Sequence, residues 1–167
     1  MYDELTEVDI KKMQDEIDYR IKVVRPKCIE DVQTAREFGD LSENFEYKAA
    51  KREKNRNESR IRYLERMIKT SKVIKPNSRE GIVGLFDTVE LYFEEDEETE
   101  VYKLVTTLRQ NSLKGLLSKK SPLGKAIIGK RVGERVLVEV DADYSYYVVI
   151  RSAQKGEDDD SIPISSY

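Results

Sequence analysis

Apolar residues in the first part of the chain recur at helical spacing. Ile10, Met13, Ile17, Ile21, Val24, Cys28, Val32 and Ala35 follow one another at intervals of three or four, which places them on one stripe of a long helix. Thr6-Glu7-Val8-Asp9 predicts its start, with a threonine cap and an acid three residues on. Pro26 lies inside the run. It lacks a backbone donor and clashes with the preceding turn, so a bend or local break is expected there. From Thr6 to Phe38, a rise of about 1.5 Å per residue gives roughly 50 Å of helix. Gly39 suits the position just past a helix end, where a positive φ is often needed. A second helical run extends to about Lys72. Its apolar residues cluster at its ends: Phe45, Ala49 and Ala50, then Ile61, Leu64, Met67 and Ile68. Between Lys51 and Arg60 there is no large apolar residue, so packing does not account for that stretch. If the two runs fold back on each other, Gly39 to Asn44 is the tip of an antiparallel pair.

Lys75-Pro76-Asn77-Ser78 is a breaker cluster. Beyond it the apolar period changes to two. Val89, Leu91 and Phe93 alternate with Glu90 and Tyr92, and Val101 to Val105 follow the acidic turn Glu94 to Glu98, which predicts a hairpin. Val136 to Val140 and Tyr146 to Ile150 predict a second hairpin around Asp141-Ala142-Asp143. Ser121-Pro122 offers a cap and a first-turn proline for a short helix ending at Gly129. The expected fold is α+β: an antiparallel α-helical coiled coil over 1–75, a linker over 76–79, a small antiparallel β domain with one short helix over 80–153, and a polar, disordered tail over 154–167.

Composition narrows the chemistry. There are 167 residues, one cysteine (Cys28) and no histidine. Imidazole metal sites, Ser-His and Cys-His nucleophiles and intramolecular disulfides are therefore excluded, and a reducing cytoplasm is expected. Cys28 lies on the apolar stripe and reads as core. A net charge of −3 gives no bulk attraction for polyanions. No apolar run is long enough to span a membrane, and the acidic start Met1-Tyr2-Asp3-Glu4 argues against a signal peptide.

Two features carry candidate chemistry. Asp40 and Glu43 put two carboxylates three residues apart at the tip. They could form a capping box for the second helix. They could also be hard oxygen ligands for Mg²⁺, too few to hold it without help from another molecule. The second feature is a basic run: Lys48, Lys51, Arg52, Lys54, Arg56, Arg60 and Arg62, diluted by Glu53 and Glu58. It reads either as a solvated face with pairs such as Glu58 with Arg62, or as a phosphate-contacting patch that steers a nucleic acid toward the tip. The tyrosines, Tyr144, Tyr146 and Tyr147 among them, read as strand and core residues.

Residues Ala35-Arg36-Glu37-Phe38-Gly39-Asp40-Leu41-Ser42-Glu43-Asn44-Phe45-Glu46-Tyr47, followed by Ala49-Ala50, resemble the signature of the bacterial GreA/GreB transcript cleavage factors. Arg25-Pro26, Ser121-Pro122-Leu123-Gly124-Lys125-Ala126-Ile127-Ile128-Gly129-Lys130 and Val132-Gly133 resemble a GreA-type pattern too. The resemblance covers about residues 5 to 153. It implies a monomer whose C-terminal domain is FKBP-like and docks on RNA polymerase at its secondary channel. It implies that the coiled coil enters that channel and stimulates the polymerase's own cleavage of the 3′ end of backtracked nascent RNA. In that scheme Asp40 and Glu43 help hold a second Mg²⁺ that binds only in the complex. Lys51 falls where the family places a basic residue near the RNA, with Lys48, Arg52, Lys54 and Arg56 enlarging the patch. Ser121, Pro122 and Leu123 fall in the docking segment. The alternatives are a channel-bound regulator that does not promote cleavage, a prolyl isomerase or chaperone, and a free-standing nuclease. The sequence departs from the family at Thr106 to Asn111, where an acidic stretch is usual, at the basic Lys114 to Lys120 that follow, and in its long tail.

Overall fold

The computed structural model describes residues 3–40, 43–77 and 79–166. The chain forms two compact units. One takes the described residues up to Asp9 together with Lys72–Ser166, and the other takes Ile10–Ser71. The helical part of the chain comprises α1 (Glu7–Tyr19), a π-helical turn (Arg20–Val24), α2 (Arg25–Arg36) and α3 (Phe45–Thr70). The start of α1 is the expected reciprocal cap. The Thr6 amide donates to Asp9 Oδ2 at 3.0 Å, and the Asp9 amide donates to Thr6 Oγ1 at 3.4 Å.

Of the predicted stripe, Met13, Cys28, Val32 and Ala35 are buried, while Ile10, Ile17, Ile21 and Val24 are half-buried; Ile61 and Leu64 of α3 are buried in turn. Burial raises the Cys28 thiol above its ordinary range. The stretch from Lys51 to Arg60 is packed after all, by polar groups. Asn57 and Arg60 are almost fully buried. Arg60 bonds Glu16 at 2.7 and 3.2 Å, and Arg20 bonds Asn57 at 3.1 Å. Glu58 takes a two-point bond from Arg25, at 2.7 and 2.9 Å, in place of the in-helix pair with Arg62 that the spacing predicts.

Pro26 does not break the helix. A π-turn precedes it, closed by the Arg25 amide donating to the Arg20 carbonyl. In an α-helix, residues five apart lie roughly 140° from each other. The wider turn brings them closer together around the axis, and both Arg20 and Arg25 reach α3.

The sheet unit begins with a pairing that no periodicity announced. β1 (Glu4–Leu5) runs parallel to β2 (Lys72–Val73). The start of the chain therefore belongs with the sheet, whereas the boundary expected from the sequence assigns all of 1–75 to the helices. Part of the linker expected over 76–79 lies outside the described residues, as Ser78 does.

Five strands form the main sheet: β3 (Thr88–Phe93), β4 (Glu98–Val105), β5 (Leu116–Ser118), β6 (Arg135–Glu139) and β7 (Ser145–Gln154), in the order β5-β4-β3-β7-β6. Both predicted hairpins are present, with Val89 opposite Tyr102 and Val136 opposite Val148. The sheet is mixed and not purely antiparallel, because β5 joins β4 in parallel. The helix α4 (Pro122–Ile127) sets Leu123 and Ile127 into a core with Val89, Leu91, Val138 and Ile150.

The described residues beyond Gln154, expected to form a polar tail, lie as a strap against the sheet unit. Lys155 Nζ donates to the buried Asp87 at 2.7 Å. Gly156 passes so close to the chain that a Cβ there would lie 2.1 Å from the Phe86 carbonyl oxygen. Ile162 packs on Leu85, Phe86 and Val105, and the Ser165 amide bonds the Leu108 carbonyl at 2.7 Å. The contacts of this segment are mainly charge and backbone bonds, with little apolar area.

The strap also engages the Thr106 to Asn111 segment through Arg109. Arg109 is fully buried, 2.7 Å from Asp9 and paired with Asp158 of the tail, with its guanidinium 4.8 Å from the centre of the Phe86 ring. Arg109 Nε and Asp9 Oδ1 make no hydrogen bond despite their separation, so this is a charge contact. Arg109 Nη1 also donates to the Asp159 carbonyl at 3.0 Å.

Candidate functional site

The tip begins where α2 runs out. The Glu37 and Phe38 amides close the last turns on Thr34 and Ala35. Gly39 follows with φ of 122°, a conformation that glycine adopts without strain. Residues 41 and 42 of the tip motif lie outside the described residues. The Glu43 amide bonds the Asp40 carbonyl at 3.3 Å, and α3 starts at Phe45.

The cap of α3 is Asn44, where the spacing offers Asp40 and Glu43. Asn44 Oδ1 accepts from the Tyr47 amide at 3.0 Å, and Asn44 Nδ2 donates to the Ala35 carbonyl at 2.7 Å. One side chain thus satisfies the first turn of α3 and the last turn of α2 together. Its residue type was a legible signal, since asparagine is a preferred cap. Its second bond, nine residues back, was not.

Asp40 and Glu43 are both exposed and line one open hollow with Phe38, Asn44, Phe45 and Glu46. Their carboxylates are hard oxygen donors of the kind Mg²⁺ takes, and two of them suit a site that another molecule completes. Among the described residues, no group of three or more His, Cys, Asp or Glu side chains is placed to hold a metal ion.

The basic run divides by face. Lys48, Lys51, Arg52 and Arg56 line a second hollow along α3, together with Asn55 and Ser59. Lys54 is not among them. It is half-buried and close enough to Cys28 to act on its thiol. Arg60 is buried in its pair with Glu16. The structure does not bring Lys54 into this hollow, because it lies two residues from both Arg52 and Arg56, and residues two apart on a helix point to different faces.

The expected docking segment is built as predicted but presents little of itself. Ser121 Oγ accepts from the Gly124 amide at 3.0 Å as the cap of α4, with Pro122 in its first turn. Leu123 is 8% exposed and belongs to the core, so of the three only Pro122 is exposed. The nearby basic residues are partly occupied: Lys119 pairs with Glu4, and Lys120 lies 3.6 Å from Asp3.

An exposed carboxylate pair thus stands at the turn of a polar-stapled helical hairpin, in one chain with a small mixed-sheet unit. The model for the N-terminal domain of transcription elongation factors matches residues 4–73, and that for the GreA/GreB C-terminal domain matches 78–152. The chain belongs to the GreA/GreB family of transcription elongation factors.

Transcription elongation factor GreA of Mesoplasma florum is 38% identical over 143 residues, covering 84% of this chain and 92% of that protein. GreA of Thermoanaerobacter pseudethanolicus is 40% identical over 139 residues, covering 83% and 88%. A solved structure of the transcription factor Gfh1 aligns over 91% of this chain and 99% of its own, at 24% identity and a TM-score of 0.45.

Proposed function

We propose that this elongation factor stimulates RNA polymerase to cleave the 3′ end of a backtracked transcript, and that Asp40 and Glu43 are half of a divalent-metal site completed by the polymerase. The observation behind this reading is the division of labour at the tip. Asn44 caps α3, and the two exposed carboxylates line one hollow beside it. Two carboxylates hold Mg²⁺ weakly by themselves, which makes the factor an accessory to the polymerase's chemistry. When bound, the ion would activate a water molecule and offset charge on the scissile phosphate.

The chain's own part is to position. Asp40 and Glu43 would ligate and orient. The hollow formed by Lys48, Lys51, Arg52 and Arg56 would attract the RNA backbone. The bonds of Glu16, Arg20, Arg25, Asn57 and Glu58 across the hairpin would keep the tip from splaying.

The test is the double variant Asp40→Ala with Glu43→Ala in a stalled, backtracked elongation complex. Polymerase binding should persist while stimulated cleavage is lost, by about a hundredfold or more if the pair acts as a metal-holding unit. Undiminished cleavage would sink the mechanism and leave a regulator that binds without promoting cleavage.

A further inference from the structure

Two aromatic rings stand largely open to solvent beside the carboxylate pair. Phe38 is 69% exposed and Phe45 is 82% exposed. Both line the hollow that holds Asp40 and Glu43. Single exposed apolar residues need no explanation. Two large open rings on one small hollow, among acids, call for one. Tyr47, two residues on, is half-buried, with the Arg36 guanidinium 5.6 Å from its ring centre. Phe45 opens α3 directly after its Asn44 cap, and its ring is left open instead of packing on the helix pair.

The surroundings indicate what the rings would meet. Lys48 Nζ lies 5.7 Å from the centre of the Phe45 ring. Lys48 also lines the basic hollow with Lys51, Arg52 and Arg56. Cations, an open aromatic ring and two carboxylates thus follow one another along one surface. An apolar protein pocket closing over Phe45 would have to desolvate Lys48. A single-stranded nucleic acid asks for this combination instead, with phosphates for the cations and base faces for the rings.

We infer that Phe45, assisted by Phe38, is a stacking platform for a nucleobase near the 3′ end of single-stranded RNA. This rests on the cleavage function proposed above. Phe45 is a positioning residue: holding the base fixes the adjacent phosphodiester relative to the carboxylates that share its hollow. Stacking accepts any base but favours purines, so the platform adds a modest preference without hydrogen-bond readout.

The experiment uses a backtracked polymerase complex whose RNA ends in 2-aminopurine, a base whose fluorescence is quenched by stacking. Adding the whole chain should quench it. Asp40→Ala with Glu43→Ala should quench equally while not cleaving. Phe45→Ala should lose most of the quench and slow cleavage about tenfold, with unchanged affinity for polymerase. Phe45→Trp should restore both, and Phe45→Leu neither. The Phe38 variants should show the same pattern more weakly. Full cleavage in Phe45→Leu would mean that an apolar contact with protein suffices and would overturn the platform. So would an undiminished quench in Phe45→Ala. Normal cleavage by the carboxylate double variant would overturn the proposed function instead, so the two failures read out separately.

Discussion

Asn44 makes two bonds that require an acceptor and a donor on the same short side chain, one to each helix end. Asn44→Ala should cost about 1–2 kcal/mol in chemical denaturation, and Asn44→Asp should recover the cap but not the bond to Ala35. If the two variants were equally destabilised, the cap would contribute nothing. Glu16 is the other residue on which the hairpin turns. Its burial raises its pKa, but the hydrogen bonds from Arg60 and Arg20 outweigh burial and hold the carboxyl below its ordinary value of 4.5. A depressed carboxyl gives stability that is present above the unfolded value and is lost as pH falls through the folded one. Glu16→Gln should therefore lower stability near neutral pH by ~1–2 kcal/mol, a range kept low because water still reaches the pair. The variant should also lose less than the wild type on acidification below about 4.5. Parallel acid dependence in melting experiments would remove Glu16 from this role.

Among the elements, α3 has a stapling face and a basic face. The first uses Asn57, Glu58 and Arg60, and the second Lys51, Arg52 and Arg56. Replacing Lys51, Arg52 and Arg56 by glutamine should flatten the salt dependence of stimulated cleavage, by roughly 0.7 in logarithmic slope for each phosphate no longer neutralised. Lys54→Gln should not change that slope, and equal effects from both faces would refute the division. The tail strap is an element without regular secondary structure, yet it neutralises buried charge. Removing residues 155–167 would take the lysine from buried Asp87 and one carboxylate from buried Arg109. The sheet unit should be destabilised by roughly 3–5 kcal/mol, the usual result of breaking a buried pair from one side. A denaturation midpoint unmoved by the deletion would show that the strap only decorates the domain.

For the whole molecule, the proposed metal site rests on two carboxylates in one hollow, too few oxygen ligands to hold Mg²⁺ without the polymerase. Titration calorimetry of the isolated chain with Mg²⁺ should show no saturable binding below millimolar concentration. Tight binding without polymerase would contradict a shared site. The matched models and the long coverage of GreA relatives place the chain in transcription elongation. The 106–111 segment and the tail meet through the pair of Arg109 with Asp158.

What the sequence determined by itself was set by near neighbours. The stripe from Ile10 to Ala35, the Thr6–Asp9 box, the two hairpins and the Ser121 cap depend on residues only a few positions apart, so residue type and spacing suffice to read them. The tip motif was equally legible as a pair of carboxylates at a turn. The tertiary structure decided which group caps and which is left exposed, because Asn44 is oriented by Ala35 on the other helix. It decided that Asn57 and Arg60 in the polar middle of α3 are buried and that Glu58 pairs across the hairpin with Arg25, 33 residues away. It decided that the tail is a strap, because Arg109 gathers Asp9, Asp158 and Thr6, the last of these 103 residues away. Polar and charged partners leave no period in a sequence. Their burial becomes favourable only when folding brings the opposite charge or the missing hydrogen-bond partner to them.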